Sequence, residues 1–141
     1  MRAKVFFNRR YGYKYSTRKG ESYYFEVVTL PQVGERKSYG VYPIGGFLVK
    51  FAHIEEKKFF SYEVRFTFDA VKELSKVHKN LKAKDLKAES IKVAVKVLEQ
   101  GCSDDMLVTV THIDEYTAVS SELPLQKHRL YYEKKKRAPF L

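Results

Sequence analysis

Tryptophan is absent from this chain of 141 residues, cysteine occurs once, and asparagine and glutamine number only two and three. The lone thiol, Cys102, excludes an intrachain disulfide framework and suits a reducing compartment such as the cytoplasm. Scarce amides beside many Lys and Glu match the bias of a heat-tolerant source. No apolar run reaches the length of a transmembrane helix, and the apolar stretch near the start is too short for a signal peptide. Residues 101–126 contain no Lys or Arg at all. The P-loop, G-x-G-x-x-G, G-x-S-x-G and H-E-x-x-H patterns are missing, as are the RRM consensus, zinc-finger spacing and a helix-turn-helix. Nothing implies a cofactor or a metal.

What is present is positive charge in segments. The net charge of +10 divides into +7 for 1–20, 0 for 21–68, +3 for 69–100, −5 for 101–126 and +5 for 127–141. The first twenty residues hold Arg9, Arg10, Lys14, Arg18 and Lys19 among seven bases and no acid, interleaved with Tyr11, Tyr13 and Tyr15. The last fifteen hold the run Lys134, Lys135, Lys136, Arg137. Cations neutralise phosphates, and flat rings stack on bases that no duplex already stacks. Single-stranded DNA or RNA presents both surfaces together, so a nucleic-acid partner is expected, bound with low sequence specificity. An anionic membrane is disfavoured, because the basic segments lack an amphipathic helix. The acidic 101–126 stretch, meeting a basic patch of another copy, would allow a homodimer.

Hydrophobic residues at 44% and aromatics at 15% argue for a folded body, most simply a single domain over 1–141 with a basic, mobile or helical tail at 127–141. Residues 22–30 and 46–54 read as strands, and 3–15 as another, bent near Gly12. In 59–68, Phe60, Tyr62, Val64, Phe66 and Phe68 alternate with a set expected mostly in water. Glu55–Lys58 reads as a hairpin turn. Thr67 then caps a helix over about 69–80, with Val71, Leu74, Val77 and Leu81 on one face. Residues 90–98 suit a strand or a helix, and three valines with an isoleucine favour strand. Strands follow at 106–113 and 117–125. The fold class is α+β, antiparallel sheet with one firm helix.

Residues 47–56 align with 106–115 at an offset of 59, identical at five of ten positions, as two strand–strand–helix units would. The segment Gly46–Lys79, "GFLVKFAHIEEKKFFSYEVRFTFDAVKELSKVHK", resembles in element order the Whirly and Pur-alpha type of single-strand-binding fold. The resemblance covers about a quarter of the chain and implies nucleic acid lying on the sheet face.

A rival reading is enzymatic. His53 with Glu55 and Glu56, and His112 with Asp114 and Glu115, pair imidazoles with carboxylates as a small metal-dependent nuclease requires. An interaction protein without nucleic acid is the other alternative. The residues expected to touch nucleic acid are Arg9, Arg10, Tyr11, Tyr13, Lys14, Tyr15, Arg18, Lys19, Lys134, Lys135, Lys136 and Arg137.

Overall fold

A computed structural model describes residues 5–8, 12–31 and 44–120. Among the described residues seven strands form one sheet in chain order: β1 (Val5–Asn8), β2 (Gly12–Ser16), β3 (Ser22–Pro31), β4 (Ile44–His53), β5 (Phe59–Phe66), β6 (Met106–His112) and β7 (Glu115–Ser120). Neighbours are antiparallel except β5 and β6. That parallel pair demands a crossover, which helices α1 (Phe68–Val77) and α2 (Ala83–Glu99) supply. The class is α+β with a mostly antiparallel sheet, as the sequence implies, but with two helices. Among the described residues, no helix is long and apolar enough to cross a membrane.

Period-two alternation decides which face the helices cover. Phe47, Val49 and Phe51 on β4, Phe60, Tyr62, Val64 and Phe66 on β5, and Val108 and Val110 on β6 are buried on one side. Val71 and Leu74 of α1 and Leu86, Val93, Ala94, Val97 and Leu98 of α2 belong to the same core. Rings pack closely there: Phe51 and Phe60 stack at 5.2 Å, and Tyr62 tilts on Phe51 at 4.9 Å. The Tyr62 hydroxyl donates to the Cys102 carbonyl, which satisfies a fully buried polar atom. At Gly46 the sheet admits no side chain. Its φ is +148°, and a Cβ would lie 2.6 Å from the Val64 carbonyl oxygen.

Both helix starts follow from local chemistry. The Thr67 hydroxyl accepts the Ala70 amide at 3.1 Å, with Asp69 in the first turn. Asp85 accepts the Lys82 amide at 2.9 Å and begins α2. The strand expected at 90–98 is therefore corrected to helix. A window opening at Leu86 contains the stripe Leu86, Ser90, Val93, Ala94 and Val97, all buried. Small Ala94 and Ser90, whose hydroxyl donates to the Leu86 carbonyl at 3.0 Å, sit comfortably on that stripe.

Other expectations need adjusting. The 3–15 strand is two, paired as a hairpin through Asn8 and Gly12. The strand at 117–125 is described at Glu115–Ser120. Ser61 and Glu63 do not face water: Glu63 is 1% exposed, and the Arg65 Nε donates to its carboxylate, as a buried charge requires. The repeat does not hold as a duplication. Both aligned strands, β4 and β6, turn the same positions toward the helices but run in opposite directions. Viewed from the helices with its first strand pointing up, one hairpin steps left and the other right, so no rotation superposes them. The strand–strand–helix repetition that carried the resemblance to Whirly and Pur-alpha folds is absent among the described residues.

Candidate nucleic-acid interface and a polar cleft

β2 pairs with β3 so that Tyr13 lies beside Phe25 and Tyr15 beside Tyr23. All four then share the parity of the core, and the tyrosines turn inward. Tyr15 is 1% exposed, and its hydroxyl donates to the Glu99 carboxylate at the end of α2. Burial, then the Glu99 carboxylate, pushes the Tyr15 pKa far up. Tyr13 stacks on Phe25 at 5.0 Å and 13°, and the Lys87 ammonium lies over its ring at 5.7 Å from the centroid. Neither tyrosine presents a face to a base. The stacking platform expected on β2 is corrected accordingly: alternation placed the rings together, and the core claimed them.

The cations expected beside them fare differently. Lys14, Arg18 and Lys19 are exposed, and the Arg18 backbone amide is anchored on Glu99 at 3.2 Å. Arg9, Arg10, Tyr11, Lys134, Lys135, Lys136 and Arg137 lie outside the described residues. The described segments hold 15 Lys and Arg against 14 Asp and Glu, so nearly all the net charge lies in the remainder.

The near-neutral body is nevertheless polarised. Three of the five acids on the helix layer are drawn into internal bonds: Glu73 accepts the Ile113 amide at 2.8 Å, Asp85 caps α2, and Glu99 holds Tyr15, while Asp69 in the first turn of α1 is exposed. Lys72 and Lys76 on α1, Lys79 in the turn after it, and Lys82 and Lys84 at the start of α2 are exposed. Phe68, at the start of α1, is 73% exposed, with the Lys72 ammonium 5.9 Å from its ring centroid. The expected nucleic-acid contacts include none of these lysines, and the strand alternation assigned Phe68 to the core face. The missed signal is that Phe68 follows the Thr67 cap, where the strand period ends and its inward parity lapses.

The histidine–carboxylate clusters separate. Asp114, in the β6–β7 turn, accepts from Lys92 at 2.9 Å and Lys96 at 3.1 Å, which lowers its pKa. His112 faces Glu115 at 3.2 Å. Among the described residues no group of three or more His, Cys, Asp and Glu is placed to hold a metal ion.

His53 is another matter. It ends β4 directly beside Tyr23, and its backbone amide accepts restraint from the turn by donating to the Lys58 carbonyl at 2.8 Å. The imidazole is 6% exposed, with its edge against Tyr23 at 4.9 Å. It lines a cleft of about 200 Å³ with Lys19, Glu21, Glu56, Lys58 and Glu99. The Tyr23 hydroxyl donates to Glu21 Oε1 at 3.2 Å, and burial foremost, with Glu21, pushes its pKa up to about 12, so it remains a donor at neutral pH. Glu55, the third member of the expected cluster, is exposed in the turn outside this lining.

No known protein family, curated protein or solved structure matches the chain.

Proposed function

We propose that this protein binds single-stranded nucleic acid, with phosphates held by its cationic surfaces and little dependence on sequence. The observation that carries this is the division of labour on the helix layer, where Glu73, Asp85 and Glu99 bond inward and exposed lysines lie around an exposed ring. A phosphate strand passing over α1 and the turn that follows it would meet Lys72 and Lys76 and then Lys79, with Phe68 available to one unstacked base. Arg18 and Lys19, exposed near the end of α2, would add cations on that side, and Lys14, alternating with the inward Tyr13 and Tyr15, would add charge on the opposite sheet face. The acid-rich 101–126 segment spends part of its charge within the chain, Asp105 on the Ser61 amide and Asp114 on two lysines, which weakens the case for a homodimer built on it.

The experiment is a variant carrying Lys72→Ala, Lys76→Ala and Lys79→Ala. Affinity for a single-stranded oligonucleotide should fall, and the slope of log affinity against log salt should flatten by about two to three, one contact per lysine. Phe68→Ala should cost about 1–3 kcal/mol of single-strand affinity while leaving duplex binding little changed. Unchanged affinity and slope in the triple variant would remove α1 from the interface.

A further inference from the structure

His53 carries a buried ring nitrogen, Nε2, with no hydrogen-bond partner, in the cleft between β3, β4 and the end of α2. Its other nitrogen fixes the chemistry. The Glu56 backbone amide donates to Nδ1 at 3.1 Å, so Nδ1 keeps its lone pair and the neutral ring carries its proton on Nε2. Nε2 is thus a donor aimed into the cleft. A metal would need the lone pair there, and taking it would set an N–H on Nδ1 against the Glu56 N–H. A small anion bonded to Nε2–H would lie against the Glu21 carboxylate, whose Oε2 is 4.0 Å from Nε2. What fits is an uncharged, planar, hydrogen-bonding group.

The nearest complement to Nε2–H is the Glu21 carboxylate, its Oε2 at 4.0 Å. That gap is too wide for a direct hydrogen bond and suits one bridging group. Glu21 Oε1 takes one bond from Tyr23 and retains a second lone pair. The cleft therefore presents two acceptors beside one donor. Every nucleobase can set one donor next to one acceptor on its pairing edge. Guanine alone places two adjacent donors, N2–H and N1–H, next to the acceptor O6. The volume of about 200 Å³ is below that of a typical pocket for a drug-sized ligand and suits a single base. Exposed Lys19 and Lys58 at the lining, with Arg18 beside them, supply cations for the attached phosphate.

From this juxtaposition we infer that the cleft is a base-recognition pocket that prefers guanine, with Glu21 and His53 as the selecting pair. The inference rests on the proposed nucleic-acid function and adds base selection at one nucleotide of an otherwise unselected strand.

The test has two arms. In the first, GMP, AMP, CMP and UMP are titrated separately into the protein while the His53 imidazole resonances are followed by NMR. GMP should bind about tenfold more tightly than the others, and inosine monophosphate, lacking the N2 amine, should fall to their level. Glu21→Gln, at an exposed side chain, should erase the GMP preference, and Tyr23→Phe should weaken it by releasing the carboxylate; a thermal melt of each variant confirms folding. In the second arm, a thymine oligonucleotide with one central guanine is compared with its all-thymine parent. No His53 response to any nucleotide means a cleft holding only water, an equal response to all means a pocket without base selection, and either result overturns the inference. Strand binding that survives that result leaves the proposed function standing. GMP binding without binding of any strand overturns the proposed function and keeps the pocket.

Discussion

Replacing Tyr15 separates a core tyrosine from a stacking one. Tyr15→Phe keeps the ring and deletes the hydroxyl that donates to Glu99, leaving Glu99 with the Arg18 amide. Hydrogen bonds to charged groups contribute about 1.5–3 kcal/mol, and Glu99 is only partly buried, so the loss should fall near the lower end, about 1–2 kcal/mol. Tyr15→Ala also empties the space of a ring that is 1% exposed, at a cost of about 3–5 kcal/mol. Urea denaturation followed by far-UV circular dichroism reads both values. The two variants should bind single strands as the parent does wherever they remain folded. The pH dependence carries an independent signature. The Tyr15 pKa is raised on folding, so its contribution is complete below the ordinary tyrosine value of about 10 and is lost as pH climbs above it. The parent should lose stability steeply above pH 10, and Tyr15→Phe should lose less over the same interval. A Tyr15→Ala protein that keeps full stability but loses single-strand binding would refute the assignment and return the ring to the interface.

Gly46→Ala should destabilise the protein by about 1–3 kcal/mol in the same urea assay, since the new Cβ would meet the Val64 carbonyl at 2.6 Å with φ at +148°. Asp114→Asn should cost a few tenths of a kcal/mol at neutral pH, because its lysine pairs are exposed to solvent. The Asp114 pKa is lowered on folding, so that small difference is present above the ordinary carboxylate range and should vanish as pH falls below it, which thermal melts at pH 7 and pH 2.5 would read.

How far the sequence reached depended on whether a feature was local. The alternation of β5 and the Thr67 cap are written in consecutive residues, and both were legible. Residues 90–98 were misassigned because the apolar positions there satisfy either period; the deciding Asp85 cap and Leu86 stand upstream of that window. Tyr13 and Tyr15 were rightly placed on one face, but alternation does not say which face a helix will cover; that depends on the register with Phe25 and Tyr23. In the cleft, His53 and Glu56 are near in sequence and were visible as a pair. Glu21 joins them only because β3 and β4 align Tyr23 with His53, and Glu99 only because α2 ends there. Charge segregation was plain from composition, whereas the inward bonding of Glu73, Asp85 and Glu99 that leaves the helix layer cationic required the fold.

The most direct test of nucleic-acid binding is a fluorescence-anisotropy titration of the full chain with labelled single-stranded DNA, single-stranded RNA and duplex DNA of one length at several salt concentrations. Tighter binding to single strands than to duplex is predicted, with log affinity falling linearly against log salt. Absence of binding to every polyanion at low salt would contradict the account.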